Sequence, residues 1–560
     1  MSPQPELFKN FKEHSVAEFF KKNRQMLGLF GKIRSLTTIV HEFVTNSIDA
    51  CEEANILPTI EIKIRELGEE YYEMHFIDNG PGIPKDKIGK ALGKLLAGTK
   101  FHRLIQTRGQ QGIGASGCIL FSQVTTGQPV KIVSGTGGKP HYVELTIDTA
   151  KNEPKIHKQC TLDKEFKGLA IKAKYKDIIY KDGPQSPLEY LKRIAIANPH
   201  TTIKFQEPSG KIHLFERTTE KMPKIPTEVK PHIKSASTDE FLQLIKSSSN
   251  KSVITFMKEN YDRVGTRLIS DIQKLLDFDL SKLTKRMIDW DKTEKIIKAI
   301  QKSNTIAPKT DSIIPIEEQF LKKSIINIVN PESLAVLTRK PAVYRGGYPF
   351  QVEVAIAYGG NAGRTLKTNG DNKLDIMRFA NRAPLLFDSG SCAITKAVQS
   401  IDWKRYNIRD IDHLPLTIIA NISSVHIPFT SAGKQAIADE SEITNEIRQA
   451  FMQAARTIST YISRKKKLQV KQEKQKIFYR YGEEISDALA FITKRKKDDI
   501  NTKLKNIIHE KLAIEEIEEK ITKSKEKSGL IEDDPDPFVN KSNNGDEKTE
   551  KEKKLKDYFE

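Results

Sequence analysis

The sequence predicts an α+β multidomain chain in which two α/β domains flank a small helical insert and a charged helical extension follows. Three observations carry this expectation. Between residues 35 and 225, helical segments alternate with β-rich runs such as TIEIKIREL, YEMHFIDNG and GQPVKIVSG. From 226 to 304 the pattern changes to short helices, as in STDEFLQLIKSSS and VGTRLISDIQKLLDF, with no convincing strand. From 305 to 462 the strand-like FQVEVAIAYGG, RAPLLFDSG and LPLTIIANISS return, before a helix that opens near Glu440. A chain of 560 residues also exceeds what one hydrophobic core supports.

Each segment has its own reason. Residues 1–34 read as an arm and an amphipathic helix, with Phe8, Phe11, Phe19 and Phe20 available to dock on this chain or another. Residues 463–527 are helical and highly charged, and 528–560 have the low hydrophobicity and high charge of a disordered tail. Hydrophobic residues make up 38%, enough to build cores, while the net charge of +19 leaves a cationic surface that favours polyanions such as DNA or RNA. The four cysteines, Cys51, Cys118, Cys160 and Cys392, form no C-x-x-C pair, which argues against a zinc cluster or a disulfide framework. With no apolar leader at the N-terminus and no long apolar run, the expectation is a cytoplasmic protein that does not span a membrane.

Three motifs carry chemistry. In TTIVHEFVTNSIDACEEA, helical spacing puts Leu36, Val40, Phe43, Ser47 and Cys51 on one stripe and Glu42, Asn46, Asp49 and Glu53 on the opposite side. A carboxylate one turn from an amide suits hydrolysis of a phosphoanhydride, Glu42 polarising water and Asn46 completing a magnesium shell. A solvated polar face is the plainer alternative. In HFIDNGPGIP a strand ends at Asp78, whose carboxylate can accept a hydrogen bond from the adenine amine, with Gly82 permitting close approach of the base. An ordinary hairpin turn fits the same residues. RGQQGIGASG, residues 108–117, can present several backbone N–H groups to a phosphate at a helix start, although a tight strand-to-helix turn also needs glycine.

In this order the three motifs resemble the ATP-binding Bergerat fold of the GHKL superfamily, shared by gyrase-type topoisomerases, Hsp90 chaperones, MutL repair proteins and histidine kinases. The resemblance implies Glu42 as general base, Asn46 as ligand to Mg2+, Asp78 as adenine reader with Gly82 beside it, and RGQQGIGASG as the lid over ATP. It assigns nucleotide contacts to Arg108, Gly109, Gln110, Gln111, Gly112, Ile113, Gly114 and Ala115, and, through LAGTKFH, to Thr99 and Lys100. The chain departs from several relatives at FKGLAIKAKY, where Leu169 rather than threonine follows Gly168, so that contact stays unassigned. No G-x-x-x-x-G-K-[ST] P-loop is present.

The second α/β region narrows the resemblance. VHIPFTSAGKQAIADE puts Lys434 in a loop ahead of a helix, a natural place for a cation that reaches the γ-phosphate from a neighbouring domain. TRKPAVYRGGYPFQVEVAIAYGG, MRFANRAPLLFDSGSCAIT and SIDWKRYNI are similar to the B-subunit family of DNA topoisomerase VI, the archaeal type IIB enzyme. That likeness implies a helix-two-turn-helix insert at 226–304, a transducer domain of the ribosomal S5 domain 2 type at 305–462, and Lys434 as switch lysine. It further implies an ATP-dependent dimer, a topoisomerase VI A subunit that cleaves DNA within an A2B2 heterotetramer, a double-stranded DNA partner, and a nucleoid location. Trp403, Lys404, Arg405 and Tyr406 offer aromatic faces beside positive charge, suited to contact with the DNA backbone and to stacking; the alternative is two rings anchoring a loop. The rival readings are a MutL-like repair clamp and an Hsp90-like chaperone.

Overall fold

The structure, a computed structural model, describes residues 15–98, 104–109, 112–250, 252–365, 372–431 and 433–530. Phe8, Phe11, Thr99, Lys100, Gln110, Gln111 and nearly all of the predicted tail lie outside them.

The first domain is an eight-stranded sheet under a layer of helices. In chain order its strands are β1 (Thr59–Gly68), β2 (Tyr71–Asp78), β3 (Val130–Thr136), β4 (His141–Asp148), β5 (Glu153–Thr161), β6 (Lys167–Lys176), β7 (Thr202–Gln206) and β8 (Ile212–Phe215). They lie in the spatial order β5-β4-β3-β6-β2-β1-β7-β8, antiparallel except for the β1–β7 pair. Alternation along β1 and β6 sends one set of side chains, Ile60, Ile62, Ile64 and Ile171, Ala173, Tyr175, into the core. The helices that cover this face are α1 (Val16–Lys22), α2 (Lys32–Glu53), α3 (Lys85–Gly93), α4 (Gly114–Thr126) and α5 (Pro187–Ala197). Ile39, Val40, Phe43 and Val44 of α2 pack there against Phe76 and Ile119. The segment ahead of α2 docks on its own chain: Ala17 and Leu29 are buried in this core, and the Ser15 hydroxyl donates to the Thr149 carbonyl.

Among the described residues, 226–304 hold no named strand. Four helices, α6 (Thr238–Ser247), α7 (Val253–Asn260), α8 (Thr266–Lys274) and α9 (Trp290–Lys302), enclose a separate core around Phe241, Phe256 and Tyr261. Ser237 and Asp289 cap α6 and α9 by accepting from Glu240 N and Lys292 N.

The second mixed domain begins with α10 (Glu318–Val329) and builds a sheet from β9 (Ser333–Thr338), β10 (Ala342–Tyr344), β11 (Tyr348–Tyr358), β14 (Asp375–Ala380), β15 (Ala383–Pro384) and β16 (Leu416–Ser424); β12 (Arg364–Thr365) and β13 (Asn372–Lys373) pair apart from it. α11 (Ala393–Gln399) joins β15 to the segment before β16. LTIIANISS is buried at every position because it runs between β11 and β14 with helices over both faces. On one face Ile418 and Ile422 meet Ile443, Ile447 and Phe451; on the other, Ile419 meets Leu321, Ile325 and, from α5 of the first domain, Ile196 and Ala197.

One helix, α12 (Ser441–Thr493), runs for 53 residues, about 80 Å at 1.5 Å per residue. It passes through residue 463 without a break, so the expected start of a separate extension falls inside a single element. α13 (Lys497–Leu512) and α14 (Ile514–Lys527) then fold back along it, with Arg464 Nη1 donating to Lys520 O at 3.0 Å and Leu530 packing beside α10. Among the described residues no helix is long and apolar enough to cross a membrane.

Candidate nucleotide site

The site is built from α2 upward. Its buried stripe holds Leu36, Val40, Phe43, Ser47 and Cys51 as the spacing predicts, but the opposite side is divided. Glu42 and Asn46 face a cavity of about 300 Å3, whereas Asp49 is only 5% exposed and turns away from it. Glu42 has a neighbour that the periodicity did not indicate. His41 Nε2 lies 4.0 Å from Glu42 Oε1, and His41 Nδ1 meets the buried Tyr190 hydroxyl at 3.0 Å. Burial holds the His41 imidazole below its ordinary value and nearby Lys434 adds to this, against the pull of Glu42, so the ring is neutral near pH 7.

Asp78 ends β2 at the cavity floor, oriented by three donors. Ser47 Oγ donates to Oδ2 at 2.6 Å, while Gly80 N and Leu169 N donate to Oδ1 at 3.0 and 3.1 Å. Burial raises this carboxyl above its ordinary value even though all three bonds favour the charged form. Leu169 thus supports Asp78 through its backbone and lines the cavity with its side chain. Asn79 fixes the turn that follows, taking Thr59 N at 2.8 Å and giving to Leu57 O at 3.0 Å.

Gly82 lines the cavity, but the reason for glycine differs from the expected approach of a base. Its φ is +71°, and a Cβ there would stand 2.3 Å from the Gly135 carbonyl oxygen, so the close neighbour is the backbone of β3. Gly114 opens α4 against the catalytic candidate, since a Cβ would lie 1.8 Å from Glu42 Oε2. Gly112, at φ +59°, turns the chain into that helix, and Ile113 and Ala115 line the cavity with it. The amino end of α4 therefore looks into the space that Glu42 and Asn46 share.

Arg108 has a place that its position in the lid did not suggest. Its guanidinium is buried, donating from Nη1 to Asp49 Oδ1 at 2.6 Å and from Nη2 to Glu52 Oε1 at 2.8 Å and to the Asn198 side-chain carbonyl. Its carbonyl faces the other way and accepts from Lys434 Nζ at 3.3 Å. Lys434 is held at φ +52° in the loop after β16, so the second mixed domain delivers an ammonium to the cavity as the sequence predicts. Glu52 also accepts from Arg382 Nη2 at 2.8 Å and lies 2.9 Å from His200 Nε2.

The SIDWKRYNI expectation needs correction. Trp403 and Tyr406 are 7% and 8% exposed, and the indole N–H donates to Val398 O at 2.9 Å, so both rings anchor the loop and neither is free to stack on a base. Lys404 and Arg405 remain exposed, Arg405 paired with Asp402.

Sequence reasoning missed Ser47 as a partner of Asp78, although a polar residue inside an apolar stripe was a usable signal. It also missed His41, Glu52, Asn198 and Arg382. Nothing in spacing could have joined Glu52 to Arg382, which are 330 residues apart.

Comparison with known proteins bears on this geometry. Residues 31–151 match the family described as histidine kinase-, DNA gyrase B- and HSP90-like ATPases, and residues 308–474 match the transducer of the topoisomerase VI B subunit. The first domain is therefore an ATPase domain of the GHKL class, joined to a transducer. The chain is 42% identical to the B subunit of type 2 DNA topoisomerase 6 from Pyrococcus horikoshii, over 92% of this chain and 98% of that protein. It is 43% identical to the protein of the same name from Methanothermobacter thermautotrophicus, over 87% and 94%. The chain belongs to the family of topoisomerase VI B subunits. Solved structures show a more distant likeness. The B-subunit of the DNA gyrase from Myxococcus xanthus gives a TM-score of 0.38 at 8% identity, covering 79% of this chain and 95% of that one.

Proposed function

We propose that this chain is the ATP-operated gate of a type IIB DNA topoisomerase. The observation that carries the reading is the convergence of Glu42, Asn46, Asp78 and the start of α4 on one cavity that Lys434 enters from the second domain. Asp78, fixed by Ser47, Gly80 and Leu169, reads the adenine amine. The N–H groups at the start of α4, with Gly109 and Gly112, receive the phosphates. Lys434 neutralises the charge that develops on the γ-phosphate, and Glu42 takes the proton of the attacking water.

Magnesium fits this donor set. The Asn46 side chain faces the cavity beside Glu42, where its amide oxygen would serve as the protein ligand of an ion carried on the phosphates. Bound there, Mg2+ would offset phosphate charge. Thr99, Lys100, Gln110 and Gln111 would complete the phosphate contacts.

Two copies close around a duplex when ATP binds, and hydrolysis releases Lys434 and resets the transducer. The double-strand break is made by a topoisomerase VI A subunit in an A2B2 assembly, which relaxes and decatenates DNA in the nucleoid. The domain roles follow: arm at 1–34, ATPase at 35–225, helix-two-turn-helix insert at 226–304, transducer at 305–462 and helical extension at 463–527. Lys404 and Arg405 contact DNA phosphates.

Glu42→Ala tests the site. Sedimentation with ATP should still show dimers while phosphate release falls by a factor of about 100 or more. Turnover within a few fold of the unaltered chain would remove Glu42 from the role of base.

A further inference from the structure

Two cations of the second domain converge on Arg108 in the lid stem, one directly and one through a shared carboxylate. Lys434 Nζ donates to the Arg108 carbonyl, and Arg382 shares with the Arg108 guanidinium the carboxylate of Glu52. The side-chain cluster is closed and balanced in charge: Asp49 and Glu52 against Arg108 and Arg382, each at most 5% exposed, with Asn198 and His200 taking part in the bonding. Burial pushes the Glu52 carboxyl up, but Arg108 and Arg382 pull harder and hold it well below the ordinary carboxylate range.

Arg382 occupies an unusual backbone. It and Asn381 form the two-residue turn between β14 and β15, with φ of +66° and +49°. Asparagine suits such a turn, but arginine is a strained choice, and strain of this kind persists where surrounding contacts impose it. Those contacts are present. Asn381 Nδ2 donates to Thr107 O at 3.2 Å and to Ser424 O at 2.9 Å, and Asn198 Nδ2 donates to Arg382 O at 3.1 Å. The loop that carries Lys434 is tied to the same hairpin. Phe387 N donates to Gln435 Oε1, and Arg378, on β14, reaches Gln435 O. The path from Lys434 through the hairpin to Arg382, Glu52 and Arg108 therefore returns to Lys434.

We propose that Glu52 and Arg382 are positioning residues for Lys434: by clasping Arg108 they set where the lid stem meets the Lys434 ammonium and so couple ATP turnover to transducer movement. A shift of the hairpin would leave a buried carboxylate short of a partner, which makes the clasp resist intermediate positions. Gly109, the residue after Arg108, is held by side chains as well: its N–H donates to Asp49 Oδ2 at 3.4 Å and its carbonyl accepts from Thr107 Oγ1 at 3.0 Å.

The inference rests on the ATP-gate reading, and its test separates the two. ATP consumed and supercoils removed are measured together in the complex with the cleavage subunit, for Glu52→Gln and for Arg382→Asn. Asparagine tolerates the left-handed turn while deleting the ion pair. Both variants should consume about fivefold or more ATP per strand passage, the scale of a modest coupling energy. A ratio within about twofold of the unaltered complex, with both rates falling together as stability falls, would make the clasp merely structural and overturn the proposal. So would an Arg382→Asn chain that cannot fold. If the unaltered complex neither hydrolyses ATP nor removes supercoils, the gate reading itself fails.

Discussion

Asp78 owes its orientation to three hydrogen bonds, two of them from residues far along the chain. A D-N-G-x-G string marks a strand end, yet the three donors come from α2, the next turn and β6, which only the fold brings together. Ser47→Ala should leave turnover near normal and raise the KM for ATP by about tenfold, one lost hydrogen bond to a charged group; an unchanged KM in steady-state assays would make Ser47 a packing residue. Gly82 was legible as glycine but for another reason, because the Gly135 carbonyl rather than a base occupies its side-chain space. Gly114→Ala drives a methyl group into Glu42, so phosphate release should fall far more than nucleotide binding measured by calorimetry. Glu52 predicts a pH signature. Its folded value lies well below the ordinary 4.5, so its stabilisation is complete above that pH and is lost as the pH falls toward the folded value. Melting curves of the unaltered chain and Glu52→Gln should differ at neutral pH and converge in acid, whereas a constant gap would contradict the assignment.

Elements were legible where one periodicity ruled. Helix α2 and strands β1, β2 and β6 follow their apolar spacing, and the strand-like LTIIANISS is a fully buried strand between β11 and β14. Part of the far side of α2 was misread because a residue distant in sequence covers it: Asp49 reads as sharing the space of Glu42 and Asn46 until Arg108 is placed against it. The same limit applies to 463–527, which reads as a charged helical extension, with no sign in its sequence that α13 and α14 return along α12 and Leu530 reaches the α10 side of the transducer core. Removing residues 514–560 should therefore expose apolar surface around Leu321 and Ile325 and lower the thermal midpoint by a few degrees. An unshifted midpoint in scanning calorimetry would show that this return adds no stability.

For the whole molecule, the net charge of +19 and the two-domain cavity point to one machine on DNA. Charge predicts that duplex affinity falls steeply with salt, and Lys404→Ala with Arg405→Ala should flatten the logarithmic salt slope by about one unit each if both meet phosphates. The change from strands to short helices and back was readable between 225 and 305, whereas the expected boundary at 463 falls inside α12; the interface was not readable, because it is a property of folded surfaces. The most direct test is relaxation of supercoiled plasmid by this chain with a topoisomerase VI A subunit. Supercoils should disappear only with both chains and ATP, and Glu42→Ala should block repeated cycles. Relaxation that proceeds equally without ATP, or with this chain omitted, would contradict the account.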